Sequence, residues 1–205
     1  MTSVVFRTDR LLGGLLLSLL LCGCIADSTS KGHEGEWLAP TPALEQQIHD
    51  QIARLPWTHG TDRVEVIGWL AGVGEPAYES LLDLCLDPRP DVAGSALAAL
   101  GATGDSRLVE HIRKLDWAPD LPREVLFERS RAMVRLGDWS QIEYLIQGLS
   151  ADELWARAWS IQALEEATKQ SFGFDPQGEP EERAEAVGRW QTWIDSRRVE
   201  GVLGA

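Results

Sequence analysis

The sequence predicts an all-α protein made of repeated helical hairpins, and two observations support this. A stretch of about one hairpin occurs twice between residues 61 and 115, at an offset of 30 residues that places Leu70 on Leu100. Each copy shows a helical pattern, a Gly-containing turn and a second helical pattern. Leu136 and Leu164 continue the series at spacings of 36 and 28 residues, which indicates about four hairpins.

The residues that precede these four repeat leucines share one helical face. Side chains three, four and seven positions apart lie on the same side of a helix. Three positions before each leucine the residue is apolar, four before it small or slender, and seven before it basic in three of the four copies. The first helix of each hairpin is therefore predicted to pack tightly between neighbours. The positions are Ile67, Leu97, Met133 and Ile161; Val66, Ala96, Ala132 and Ser160; and Arg63, Ala93, Arg129 and Arg157.

The second copy contains several short motifs of a known repeat type. They are Asp91-Val92, Ala96, Ala99-Leu100-Gly101 and Gly104-Asp105. These motifs resemble the short HEAT-like repeats of bacterial proteins, including those first described in bilin lyases, although Ala93 replaces the usual arginine. The resemblance covers about residues 61–197 and implies an α-solenoid of about four HEAT-like helical hairpins with terminal capping helices. It also implies that the second helices of the hairpins line a concave binding side.

Caps and helix breakers place the individual helices. Thr41-Pro42 predicts the start of a capping helix that ends before Pro56. Asp91 and Asp105 are predicted to cap the two helices of the second copy. The predicted helices span about 41–55, 63–71, 76–86, 91–100, 105–115, 124–136, 140–149, 152–169 and 181–197.

The N-terminal segment is predicted to direct export. Basic residues precede positions 11–21, of which eight are leucine. This run is too short to cross a bilayer core, which takes about 20 apolar residues, and it fits the hydrophobic region of a signal peptide. Leu21-Cys22-Gly23-Cys24 then resembles the bacterial lipobox, which implies diacylglycerol transfer to the Cys24 thiol and cleavage before it. An uncleaved anchor and an ordinary secretory signal are the alternatives.

These patterns divide the chain into four parts. The predicted parts are a lipoprotein signal peptide 1–23, a flexible tether 24–40, a HEAT-like α-solenoid domain 41–197 and a C-terminal tail 198–205. Lipidation of Cys24 implies an exported protein anchored to a bacterial membrane. Ile25 follows the cysteine where an aspartate would favour retention in the inner membrane. In a Gram-negative host we therefore expect the outer membrane, with the domain facing the periplasm or the cell surface.

Composition and motifs argue against several classes of function. A net charge of −13 disfavours a nucleic-acid partner, because such binding depends on Lys and Arg neutralising phosphates. The sequence lacks both the Gly-x-Ser-x-Gly nucleophile motif and a Gly-rich phosphate-binding loop. Cys85, the cysteine that follows the targeting segment, is expected in the core. We expect no enzymatic activity, no cofactor and no metal. The histidines, which form no metal-ligand pattern, are His33, His49, His59 and His111.

The C-terminal end carries the remaining candidate sites. Four of the nine tryptophans, Trp155, Trp159, Trp190 and Trp193, form either a packed cap or an aromatic groove for a carbohydrate or an apolar peptide. A nearby set of acidic residues could bind Ca²⁺ but lacks the alternation of an EF-hand loop. Acidic residues are also expected in the first turn of a helix. This acidic set comprises Asp175, Glu179, Glu181 and Glu182.

The sequence as a whole predicts a membrane-anchored, non-enzymatic protein-binding scaffold or adaptor of the cell envelope. Its partner would be an envelope protein, unidentified by the sequence. The alternative function is a receptor for a small ligand or carbohydrate, or an enzyme, that uses the tryptophan-rich end.

Overall fold

The computed structural model describes residues 37–199, which form α-helices joined by turns and contain no β-strand. The predicted all-α class is thereby confirmed. Short 3₁₀ turns at Leu55–Trp57, Glu75–Ala77 and Trp139–Gln141 precede the second, third and seventh helices. The helices are α1 Pro42–Arg54, α2 Gly60–Val73, α3 Tyr78–Leu84, α4 Pro90–Thr103, α5 Leu108–Lys114, α6 Arg123–Arg135, α7 Ile142–Leu149, α8 Leu154–Thr168 and α9 Pro180–Val199.

The N-terminal predictions fall mostly outside this range. The predicted signal peptide, Cys24 and the tether up to residue 36 lie outside the described residues. Within 37–199, no helix has both the length and the apolar character needed to cross a membrane. Helix α9 reaches Val199, so the first two residues of the predicted tail are helical.

The folded part also begins earlier than predicted. Trp37, assigned to the flexible tether, is only 8% exposed and belongs to the core. Its ring packs edge-on against Tyr78 of α3, with the ring centroids 5.0 Å apart. The prediction failed here because a single tryptophan in a polar stretch shows no periodic pattern, although burial of its large apolar surface stabilises the docked position.

Two of the three predicted helix caps are wrong. Thr41 does cap α1, since its hydroxyl accepts a hydrogen bond from the Leu44 amide at 3.3 Å. Asp91, however, lies inside the first turn of α4, because Pro90 begins that helix one residue earlier with a suitable fixed φ. Asp105 lies three residues before α5 and accepts from the Arg107 amide at 3.1 Å, which makes a local turn instead of a cap.

The predicted buried face of the first helices is present in α2, α4, α6 and α8. The four repeat leucines are at most 2% exposed, and the small residues four positions before them are all buried. Of the four residues that lie three positions before these leucines, only Ile67 is partly exposed. Helix α4 packs against α2 and α6, and α6 packs against α8. The helices that carry these faces are thus neighbours in the order in which they occur along the chain.

Two of the three predicted arginines of this face bind the backbone of the preceding connection, whereas the guanidinium carbon of Arg129 lies over the ring of Trp117, 5.0 Å from its centre. Arg63 donates to the carbonyls of Thr58 at 2.9 Å and Leu55 at 3.1 Å. Arg157 donates in the same way to the carbonyls of Ala151 and Asp152, at 2.8 and 2.7 Å. A guanidinium has five donors and can therefore bind two carbonyl groups of a short connection at once.

Candidate functional site

A groove of about 670 Å³ is formed by α2, α4, α6 and α8, the first helices of the predicted hairpins. Small side chains of α4 form its floor, and larger side chains of α2, α6 and α8 form its walls. The resemblance implies a binding side on the second helices, so the position of this groove differs from the expectation. We call this feature the first-helix groove.

The floor is a ridge of small residues. Gly94, Ala98 and Ala102 follow one another at four-residue steps and therefore lie on one face of α4. A Cβ added to Gly94 would lie 3.4 Å from Cγ of Glu128, which is van der Waals contact, so the α6 wall stands directly beside the floor. Because none of the three residues has a side chain beyond Cβ, a bound polypeptide can come close to the α4 backbone.

The wall on α2 is apolar. Val64 and Ile67 lie one turn apart and both line the groove. Val64 is 66% exposed and Ile67 beside it is partly exposed, so the apolar surface here is contiguous and not a single exposed side chain. This wall therefore offers apolar area that a partner would remove from water.

The wall on α6 is charged. Glu128 and Arg131 form an ion pair of 2.7 Å in which each side chain is only 12% exposed. Arg135 pairs across to Glu166 of α8, also at 2.7 Å. In sequence, α6 carries four arginines and two glutamates, whereas the chain as a whole has a net charge of −13. Of these side chains, Arg131, Arg135 and both glutamates line the groove, so this wall is charge-balanced on a chain that is acidic overall. Each of the two guanidiniums has donors beyond those used in its ion pair.

Glu128 is held in an unfavourable environment. Burial raises the pKa of its carboxyl, although the nearby guanidiniums of Arg131 and Arg135 act in the opposite direction. A carboxyl whose pKa is raised on folding stabilises the fold below its unfolded pKa, and that contribution is lost as the pH rises through the folded pKa. Burial thus disfavours the ionised form of Glu128, and the two guanidiniums beside it offset part of that cost.

The edge of the groove on α8 is aromatic. Trp159 lines the groove and packs against Trp155, with the ring centroids 5.1 Å apart and the planes at 65°. Trp155 in turn lies 5.8 Å from the buried ring of Phe127. Trp159 is therefore a partly exposed aromatic residue held in place by other rings, a type of residue enriched among the strongest contributors to protein interfaces.

The four C-terminal tryptophans fall into two sets. Trp155 and Trp159 pack with Phe127, whereas Trp190 and Trp193 pack with Phe172. Trp190 is fully buried, and the other three tryptophans are partly exposed. The structure thus places Trp190 as packing and brings only Trp159 into the first-helix groove.

The other sequence candidates have local structural roles. Asp175 accepts a hydrogen bond from the Gln177 amide at 2.8 Å. Among residues 37–199, no group of three or more His, Cys, Asp or Glu side chains is arranged to hold a metal ion. Cys85 is a free, buried cysteine, and burial raises the pKa of its thiol. His111 lies against Trp37, with the ring centroids 4.9 Å apart.

Comparisons with protein-family models, with curated proteins and with solved structures gave no match. The first-helix groove could be predicted from the sequence only in part. Its floor had a signal in the sequence, since Gly94, Ala98 and Ala102 place three small residues on the face of α4 opposite its most buried side. Its walls had no comparable signal, because they depend on how α2 and α6 flank that helix.

Proposed function

We propose that this chain is a lipid-anchored, HEAT-like α-solenoid protein that binds another protein of the bacterial cell envelope and catalyses no reaction. The first-helix groove is the observation that carries this proposal. It combines an apolar wall, a partly exposed tryptophan and arginines around a floor of small residues. Protein interfaces are enriched in aromatic residues and arginine at their centres, so this composition suits a polypeptide partner.

The order of helix packing supports a solenoid. In a solenoid each repeat contacts its neighbours, as α2, α4, α6 and α8 do here. Ion pairs also join residues about one hairpin apart along the chain, and four of them span 25 to 31 positions. Apart from the buried carboxylate of Asp138, the side chains in these four pairs are partly or fully exposed. Exposed pairs stabilise a fold by only about 0–1 kcal/mol, so the pairs support the solenoid by their spacing and not by their strength. The pairs are Arg63–Asp91, Arg113–Asp138, Arg123–Glu153 and Arg135–Glu166.

The lipobox supports the membrane anchor. Cys24 would carry the lipid, and the chain between Cys24 and Trp37 would connect the folded part to the membrane. Twelve residues lie between the two positions, so the connection has thirteen residue steps, each spanning at most about 3.6 Å. The first folded residue would therefore lie within about 45 Å of the membrane surface.

The proposal predicts that a bulky charge in the groove strongly weakens partner binding. Ala98→Arg places a long cation on the floor, and Ala53→Arg places the same side chain on an exposed position of α1 outside the groove. We expect crosslinking in native membranes, followed by affinity purification, to recover one envelope protein with the wild type and with Ala53→Arg. The yield with Ala98→Arg should fall about tenfold or more, which corresponds to about 1.4 kcal/mol of binding free energy.

A Cys24→Ser variant completes the experiment. It should leave the membrane fraction, because the lipid can no longer be attached. Equal recovery of the partner with Ala98→Arg and Ala53→Arg would contradict binding in the groove. Membrane retention of Cys24→Ser would contradict the lipid anchor but would leave the groove unaffected.

A further inference from the structure

A second surface of the molecule, on the second helices, already holds a peptide segment. Trp37 precedes α1 and inserts its side chain between α3 and α5, elements that lie far along the chain. It contacts Tyr78 of α3 and His111 of α5, at ring-centroid distances of 5.0 and 4.9 Å. The guanidinium carbon of Arg107 lies 5.1 Å from the centre of the Trp37 ring, as in a cation–π contact. We call this site the Trp37 cleft.

The cleft also recognises the backbone of the segment that it holds. The amide of Leu38 donates to Oε2 of Glu75 at 3.1 Å. Glu75 is held by an ion pair with Arg107, and Arg107 also pairs with Asp105 at 2.6 Å. Glu75, which accepts the backbone hydrogen bond, and Arg107, which lies over the indole, therefore belong to one network of ion pairs. That network is supplied entirely by the body of the protein.

The residues that link Trp37 to α1 are mostly exposed. Between Trp37 and the helix, Leu38 and Ala39 are exposed, and Leu38 is 67% so. The docked segment consequently uses one aromatic side chain and one backbone amide, while the side chain of its next residue faces solvent. A segment with the same two features could occupy the cleft when supplied by another molecule.

We propose that the Trp37 cleft is a binding site for an extended peptide segment that carries a tryptophan, and that the chain's own Trp37–Leu38 fills it in competition with such a partner. The site lies on α3 and α5 and is separate from the first-helix groove, so this inference does not rest on the proposed function. The ligand is defined by the contacts: an indole between Tyr78 and His111, followed by a backbone N–H for Glu75.

The test supplies the segment in trans. In the full chain, Trp37→Ala empties the cleft and should lower the melting midpoint. An acetylated hexapeptide with the sequence of residues 35–40 should then restore part of the loss at about 1 mM, the range of effective concentrations for a short tethered segment. The same peptide with alanine in place of tryptophan should have no effect. Adding Glu75→Gln to Trp37→Ala should raise the peptide concentration needed several-fold.

Trp37→Phe provides a second variant should Trp37→Ala fail to fold, because it leaves an aromatic ring in the cleft that the peptide must displace. A rise of the midpoint with the tryptophan peptide alone, in either variant, would support the proposal. The proposal would be overturned if the tryptophan and alanine peptides acted alike, or if neither changed the midpoint of a folded variant. Loss of partner capture by Ala98→Arg has no bearing on this result, so the two proposals fail independently.

Discussion

Replacing Gly101 by alanine is expected to lower the free energy of unfolding by about 2–3 kcal/mol, the upper range for overpacking a core. The added Cβ would lie 2.8 Å from Cα and 3.1 Å from Cβ of Ala132. The closer atom belongs to the α6 backbone, so rotation of a side chain cannot relieve the contact. Helices α4 and α6 would have to separate, and the floor and the charged wall of the groove would separate with them. Urea unfolding followed by circular dichroism measures the change.

Gly72→Ala is the matched control for this prediction. Gly72 lies in the last turn of α2, and an added Cβ there would have no atom within 4 Å. Alanine favours the middle of a helix over glycine by about 0.5–1 kcal/mol, and in this last turn the variant should be at least as stable as the wild type. If both variants shifted stability in the same direction and by similar amounts, the close approach of α4 and α6 would be contradicted.

Replacing Trp190 by alanine should lower the free energy of unfolding by about 3–5 kcal/mol, as for other fully buried large side chains. Trp190, a residue of α9, is completely buried, with a relative exposure of 0%. Its ring contacts Phe172 edge-on at 4.8 Å. The variant would leave a cavity where α9 joins the rest of the fold, and we expect thermal melting to show a large fall of the midpoint.

Two comparisons isolate the cause of that loss. Trp57→Ala removes the same side chain at a position that is 83% exposed and should change stability by at most about 0.5 kcal/mol. Trp190→Phe should recover much of the stability, because it retains a ring and removes an indole N–H that has no hydrogen-bond partner. Similar losses for Trp57→Ala and Trp190→Ala would show that burial of Trp190 is not what stabilises the C-terminal end.

The repeated face of the first helices could be predicted because it is a local pattern. Leu70, Leu100, Leu136 and Leu164 are buried as the 3.6-residue periodicity indicates. The positions of the helix starts were harder to predict. Asp91 has the chemistry of a cap, but the fixed φ of Pro90 begins the helix before it.

The sites depended on tertiary neighbours and were largely missed. Trp37 is buried by residues 41 and 74 positions further along the chain, and no window of sequence contains both it and them. The first-helix groove likewise exists only because α2 and α6 flank the small residues of α4. Trp159 and Trp190 illustrate the same limit. Both were assigned to one cluster, yet one lines the groove and the other is core.

Site-specific photocrosslinking tests the central claim most directly, namely that the first-helix groove binds a protein of the envelope. A photoreactive amino acid would replace Ala102, which is exposed at the groove floor, or Ala53, which is exposed on α1 outside it. Irradiation of native membranes should join the envelope partner to the chain from position 102 and not from position 53. Adducts of equal yield from both positions, or an adduct from position 53 alone, would contradict the groove as the binding surface.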